Sequence, residues 1–156
     1  MQDDRRVIAI ADDREAIGRR ILADLPDWFG IPEATENYIK AAGRLPMLGW
    51  RDGNGDVAGF VSLDRTSEAT VDMHVIGVLA SHHRQGVGSA LVDAAADWAR
   101  GQGASLLAVK TLGASYDDPF YERTRLFYQA MGFLPVEEFK TLWGPDNPCL
   151  LMIKPL

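Results

Sequence analysis

The chain has 156 residues, of which 47% are hydrophobic and 24% charged, and its 16 basic and 22 acidic side chains give a net charge of −6 at pH 7. This length fits one domain with one substantial core, and the acidic balance argues against a nucleic-acid partner. The single cysteine, Cys149, excludes an internal disulfide framework and is typical of a reducing compartment. No run approaches a membrane span and the first residues lack the apolar core of a signal peptide, so we expect a cytoplasmic protein without a membrane partner.

The first half of the chain predicts one strand and two helices, followed by three more strands. Apolar and alternating runs predict strands over residues 5–11, 45–51, 56–63 and 69–79, and periodic apolar residues predict helices over 12–25 and 33–42. Asp12 and Asp13 are candidate N-caps for the first helix. The segment Asp52-Gly-Asn-Gly55 is typical of a hairpin turn. In strand 69–79, one face carries Asp72, His74, Ile76 and Val78, and the other carries Val71, Met73, Val75 and Gly77.

A polar turn with two glycines follows that strand. Residues 81–85 are polar, and Gly86-Val87-Gly88 then opens a helix with an apolar stripe. The first N–H groups of a helix lack intrahelical partners and lie at the positive end of its dipole, so they attract phosphate when no side chain blocks the approach. The turn lacks the lysine of a Walker loop and the third glycine of a dinucleotide fingerprint.

The second half of the chain predicts a strand, a helix and two further strands. Gly101-Gln-Gly103 ends the preceding helix, and the later elements are expected at residues 105–112 and 119–131, within 133–143, and at 149–154. We expect strand 105–112 to run parallel to strand 69–79, because a crossover helix joins them. Pro119 suits the first turn of its helix and Gly132 suits its C-terminal cap. The order β-α-α-β-β-β-α-β-α-β-β indicates a mixed α+β fold.

Two segments resemble motifs of the GNAT N-acetyltransferases. His83-Arg84-Gln85-Gly86-Val87-Gly88 resembles the acyl-coenzyme-A loop [RQ]-x-x-G-x-[GA], with His83 at the position of Arg or Gln. The segment from Thr124 to Phe133 resembles the second motif, a helix that carries F-Y-x-x-x-G-F. The order of elements is also similar to that of the whole GNAT fold, over roughly residues 5–155. The resemblance implies one GNAT domain over residues 1–156, with a mostly antiparallel sheet of about seven strands and about four helices.

The resemblance also implies an activity and a set of binding residues. The activity is N-acetyl transfer from acetyl-CoA to a primary amine of a small molecule or protein, directly within a ternary complex. By resemblance, the pyrophosphate lies on the turn and the pantetheine arm lies along the preceding strand. The implied cofactor-binding residues are Ile76, Val78, Leu79, His83, Arg84, Gln85, Gly86, Val87, Gly88, Ser89 and Tyr128.

Three residues are candidates for the chemistry of the transfer. Tyr128 occupies the tyrosine position of the second motif and could stabilise or protonate the departing thiolate. Tyr121 competes with it, but only Tyr128 has the motif spacing to Gly132 and Phe133. Asp72 falls where several members carry a strand glutamate, and the imidazole of His74 suits general-base work near neutral pH. Either residue could instead be structural, and many members rely on water chains.

The sequence is also compatible with functions other than acetyl transfer. A non-catalytic acyl-CoA-binding or sensor module is the main alternative, and the presence of Tyr128 favours catalysis over it. An acetylase of aminoacyl-tRNA is disfavoured because the chain is acidic. Cys149 lies in an apolar terminal strand, so we expect a buried and inert thiol and not an acyl-cysteine. We predict no metal and no nucleic-acid partner, and a homodimer stays open.

Overall fold

The computed structural model describes residues 6–156, and its elements follow the predicted order. The strands are β1 (Val7–Ile10), β2 (Met47–Arg51), β3 (Val57–Arg65), β4 (Thr70–Val78), β5 (Leu106–Leu112), β6 (Leu134–Phe139) and β7 (Cys149–Pro155). The helices are α1 (Arg14–Ala23), α2 (Pro32–Ala42), α3 (Val87–Gly101) and α4 (Pro119–Ala130). Residue 5, where the first predicted strand begins, lies outside the described residues.

The strands form one seven-stranded sheet in the order β1-β2-β3-β4-β5-β7-β6. The pairs β1–β2, β2–β3, β5–β7 and β6–β7 are antiparallel. Asp52 closes the β2–β3 hairpin, because its Oδ1 accepts hydrogen bonds from the N–H groups of Asn54 at 2.8 Å and Asp56 at 3.1 Å. The mixed α+β class and the mostly antiparallel seven-stranded sheet with four helices are confirmed.

A first compact unit comprises residues 6–64 together with Met73–Trp98. A hydrophobic cluster joins α1 and α2 to one face of its strands, and its fully or nearly fully buried members include Ile21, Leu22, Ile39, Phe60 and Val75. A Cβ on Gly77 would lie 3.2 Å from Leu22 of α1. A Cβ on Gly59 would lie 3.1 Å from Val87 of α3 and 3.3 Å from Val78. Gly77 and its neighbour Val78 therefore face opposite sides of β4, as alternation predicts.

A second compact unit comprises Arg65–Asp72 and Ala99–Leu156. Its core includes the buried residues Leu107, Phe133 and Met152. Helix α4 begins as predicted, because Pro119 occupies its first turn and the carboxylate of Asp118 accepts hydrogen bonds from the N–H groups of the next turn at 2.9 and 3.3 Å. The single-domain prediction for residues 1–156 stays a prediction.

The start of α1 differs from its prediction in one detail. Asp13 is the N-cap residue of α1, but it makes no side-chain cap hydrogen bond, and its backbone is left-handed with φ of 61°. Strand β6 (Leu134–Phe139) lies within the segment 133–143 that is predicted to contain it. Two successive turns bend the chain after this strand, since Gly144 N–H donates to the carbonyl of Thr141 at 3.0 Å and Asn147 N–H donates to that of Gly144 at 3.2 Å. Within residues 6–156, no helix is long and apolar enough to cross a bilayer.

Candidate active site

The predicted phosphate-binding turn joins β4 to α3 in the first unit. A single 3₁₀ turn, Ala80–His82, leaves the strand, and left-handed backbone follows at Arg84 (φ 62°) and Gly86 (φ 80°). This conformation is easy for glycine but costs about 1–3 kcal/mol for a residue with a Cβ. A Cβ built on Gly86 meets no described atom within 4 Å. The main chain at Gly86 is therefore open to approach by a ligand.

The start of α3 presents main-chain donors beside that opening. The first intrahelical bond runs from Ala90 N–H to the carbonyl of Gly86, at 3.0 Å. The N–H groups of Val87, Gly88 and Ser89 precede this bond, so none of them has an acceptor within the helix. Val87 is 1% exposed and anchors the helix start in the core. Together these donors and the helix dipole favour an anion at this end of α3.

Hydrogen bonds from neighbouring elements fix the strand end before the turn. Leu79 N–H donates to the carbonyl of Ala58 on β3 at 2.9 Å, and the carbonyl of Leu79 accepts from His82 N–H at 2.9 Å. Ala80 N–H donates to Oδ2 of Asp24 at 2.8 Å. Successive residues of a strand point their main-chain groups to opposite sides. The groups of Ile76 and Val78 therefore point away from β3, whereas both groups of Leu79 are already bonded within the unit.

Each of the three histidines packs edge-on against an aromatic ring of the first unit. The ring centroids lie 5.6 Å apart for His83 and Trp28, 5.7 Å for His82 and Trp50, and 5.3 Å for His74 and Tyr38. These aromatic residues come from the α1–α2 connection, from β2 and from α2. All six side chains are half-buried. His74, the candidate base, therefore sits against the ring of Tyr38.

Tyr128 lies on α4 in the second unit. It is 4% exposed, and its ring centroid lies 5.4 Å from those of Phe127 and Phe133. Its carbonyl accepts a hydrogen bond from Phe133 N–H at 3.0 Å, and Gly132 turns the chain with φ of 95°. The spacing F-Y-x-x-x-G-F thus brings the last phenylalanine back onto the tyrosine.

Asp72 and Cys149 lie in buried surroundings of the second unit. Asp72 is 7% exposed, and its Oδ1 lies 4.0 Å from Nζ of Lys110. Cys149 is 0% exposed. Burial raises the pKa of the Cys149 thiol to about 11, although Lys110 lowers this pKa and Asp72 raises it. The prediction of a buried thiol is confirmed, and at neutral pH this thiol is protonated and a poor nucleophile.

Comparison with known families decides the family. The sequence pattern of the acetyltransferase (GNAT) family matches residues 14–133. The chain belongs to the GNAT acetyltransferase family. The match spans both motif segments identified in the sequence, and the resemblance to this family is confirmed.

Solved structures share the GNAT fold. A GNAT-family protein from Desulfovibrio desulfuricans has a TM-score of 0.79 at 20% identity, and the match covers 96% of this chain and 98% of that chain. A GNAT acetyltransferase from Elizabethkingia anophelis, with acetyl-CoA bound, has a TM-score of 0.74 at 15% identity over 97% of this chain and 99% of that chain. Nourseothricin acetyltransferase has a TM-score of 0.62 at 24% identity, and the match covers 70% of this chain but only 64% of that chain. Comparison with curated proteins gives no match.

The candidate residues of this GNAT chain fall into two sets. The first unit holds His74, the strand residues Ile76–Leu79 and the turn His83–Ser89. The second unit holds Asp72 and Tyr128. Sequence reasoning missed Asp24 and Lys110, which contact the turn and Asp72 respectively. No local pattern marks either residue, because each acts on a partner that is distant in sequence.

Proposed function

We propose that this protein is an N-acetyltransferase that moves the acetyl group of acetyl-CoA directly to a primary amine of a small molecule or protein. The observation that carries the proposal is the start of α3, where main-chain donors lie beside the open backbone of Gly86. Membership of the GNAT family adds independent support. So does the fold neighbour from Elizabethkingia anophelis, which holds acetyl-CoA.

The turn would hold the pyrophosphate of the donor. The main chain of residues 84–89 supplies N–H groups, and the exposed side chain of Arg84 adds a positive charge. Local features must supply this attraction because the chain as a whole carries a net charge of −6. Ile76 and Val78 would offer their main-chain groups to the amides of the pantetheine arm, on the side of β4 away from β3. Leu79 is less suited to that role, because its N–H donates to Ala58 on β3 and its carbonyl accepts from His82 within the 3₁₀ turn, so neither group faces the side of β4 away from β3.

The transfer itself needs a proton acceptor for the amine and a donor for the thiolate. Tyr128 would provide its hydroxyl to the departing thiolate, whose developing charge a hydrogen bond stabilises. His74 or Asp72 would take the proton of the ammonium, directly or through water. Tyr38 holds the ring of His74, and Lys110 neighbours the carboxylate of Asp72. A route through an acyl-cysteine is disfavoured, because Cys149 is buried and its thiol is protonated at neutral pH.

One observation favours the alternative of a non-catalytic acyl-CoA-binding module. Tyr128 is 4% exposed and packs against two phenylalanines, as a purely structural aromatic residue would. The two functions are separated by assaying release of free thiol from acetyl-CoA over a panel of amines, alongside calorimetry with coenzyme A. Thiol release that depends on an amine supports the transferase. Binding without release over the whole panel supports the module, and the absence of binding refutes both.

A further inference from the structure

His83 holds the end of β4 through a single side-chain contact. Its Nε2 lies 2.7 Å from the carbonyl oxygen of Val78. A carbonyl oxygen only accepts hydrogen bonds, so Nε2 must carry the proton in this contact. The half-buried position of His83 shields this hydrogen bond in part from water.

The carbonyl of Val78 has the chemical capacity to accept a second donor. It points away from β3, because the neighbouring Leu79 N–H donates to Ala58 on β3. A carbonyl oxygen has two lone pairs, and His83 occupies one of them. The remaining lone pair can accept from an N–H group of a ligand that lies along this side of β4.

The ring of His83 is in turn held by the α1–α2 connection. Trp28 meets it edge-on, with ring planes 82° apart, and Trp28 N–H donates to the carbonyl of Leu25 at 3.1 Å. Asp24, at the end of α1, accepts a hydrogen bond from Ala80 N–H in the same turn. Two contacts therefore tie the α1–α2 connection to the segment that carries His83.

We infer that His83 is a positioning residue, which orients the carbonyl of Val78 to accept an amide N–H of the pantetheine arm. This inference rests on the proposed function. His83 acts through Val78 and contributes to binding of the arm, while the amides at the start of α3 bind the phosphates. The contact with Trp28 keeps the imidazole in the orientation that this hydrogen bond needs.

The neighbouring histidine supplies a matched control. His82 is also half-buried and also packs edge-on against a tryptophan, but its Nδ1 lies 2.9 Å from the hydroxyl oxygen of Ser81. Replacing either histidine by leucine removes an imidazole of the same turn. Only the change at position 83 removes a donor to the strand.

The test compares two ligands by calorimetry or NMR titration. Coenzyme A carries the pantetheine arm, whereas adenosine 3′-phosphate 5′-diphosphate carries the same nucleotide and both phosphates of the pyrophosphate without it. We expect His83→Leu to weaken the affinity for coenzyme A roughly threefold to tenfold, the effect of one hydrogen bond, and to leave the affinity for the nucleotide diphosphate within about twofold. His83→Gln should restore coenzyme A affinity, since its amide N–H can donate to the carbonyl of Val78. His82→Leu should change neither ligand.

Several outcomes would overturn the inference while leaving the proposed function intact. They are an unchanged coenzyme A affinity in His83→Leu, an equal loss of both ligands, and a failure of His83→Gln to restore binding. If the wild-type protein binds no coenzyme A, the proposed function itself is refuted. Should the leucine variant fail to fold, ¹⁵N NMR of the wild-type histidine rings decides instead. Coenzyme A should then shift the Nε2–H signal of His83 but not the ring signals of His82, and the reverse pattern contradicts the inference.

Discussion

Replacing Gly86 with alanine should lower both the stability of the protein and its affinity for coenzyme A. Comparison with alanine at Gly55 separates the two effects. Gly86 has φ of 80°, and Gly55 in the β2–β3 hairpin has φ of 84°. A Cβ meets no described atom within 4 Å at either position. The backbone strain of alanine should therefore be the same in both variants, about 1–3 kcal/mol. For a chain of this length, each kcal/mol lowers the melting temperature by roughly 2–4 °C.

The two variants should differ only in their affinity for coenzyme A. At position 86 the new methyl group enters the space beside the first amides of α3, where the pyrophosphate is proposed to bind. Loss of one charge-assisted hydrogen bond costs about 1.5–3 kcal/mol, so affinity should fall roughly tenfold to a hundredfold or slightly more. Thermal unfolding measures the loss of stability that the two variants share, and calorimetry measures the affinity of each variant for coenzyme A. If Gly86→Ala binds coenzyme A as tightly as Gly55→Ala, the pyrophosphate does not lie on this turn.

Three further predictions concern Tyr128, Cys149 and Glu36. Tyr128→Phe should lower the turnover of thiol release by roughly a hundredfold, because a hydrogen-bond donor to the leaving thiolate is lost, and the affinity for coenzyme A should not change. The control variant Tyr121→Phe should keep the wild-type turnover. Equal turnover in the two variants would remove Tyr128 from the mechanism. Burial raises the pKa of the Cys149 thiol from 9.0 to about 11. As pH rises, the thiol therefore loses its proton in the unfolded chain before it does so in the folded protein. The free energy of unfolding should consequently fall between about pH 9 and pH 11. Denaturation of Cys149→Ala should show a weaker fall over that range, and an identical fall would contradict the assignment. The hydrogen bond from Arg19 lowers the pKa of Glu36 from 4.5, so NMR titration should show that pKa rising in Arg19→Gln, and no rise would mean that the pair is not formed in solution.

Features that depend on neighbours in sequence were predictable. The hairpin at Asp52 and the start of α4 at Pro119 depend on turn and cap residues within a few positions of one another. The open turn at Gly86 likewise follows from a glycine that tolerates left-handed backbone. The cap at Asp13 could not be predicted in detail, because residue type favours a cap without fixing the φ on which its geometry depends.

The sequence alone determined the order of elements, the family and the segment that can receive a phosphate, because periodicity, turn residues and motif spacing are local properties. Only the tertiary structure decided which polar groups at that segment are already engaged. Asp24 reaches Ala80 across 56 positions, and Ala58 takes the N–H of Leu79 from a neighbouring strand. Such pairings depend on how strands and helices pack, so no window of sequence contains both partners. They distinguish Val78, whose main-chain groups point away from β3, from Leu79, whose N–H is bonded to β3 and whose carbonyl is bonded within the 3₁₀ turn.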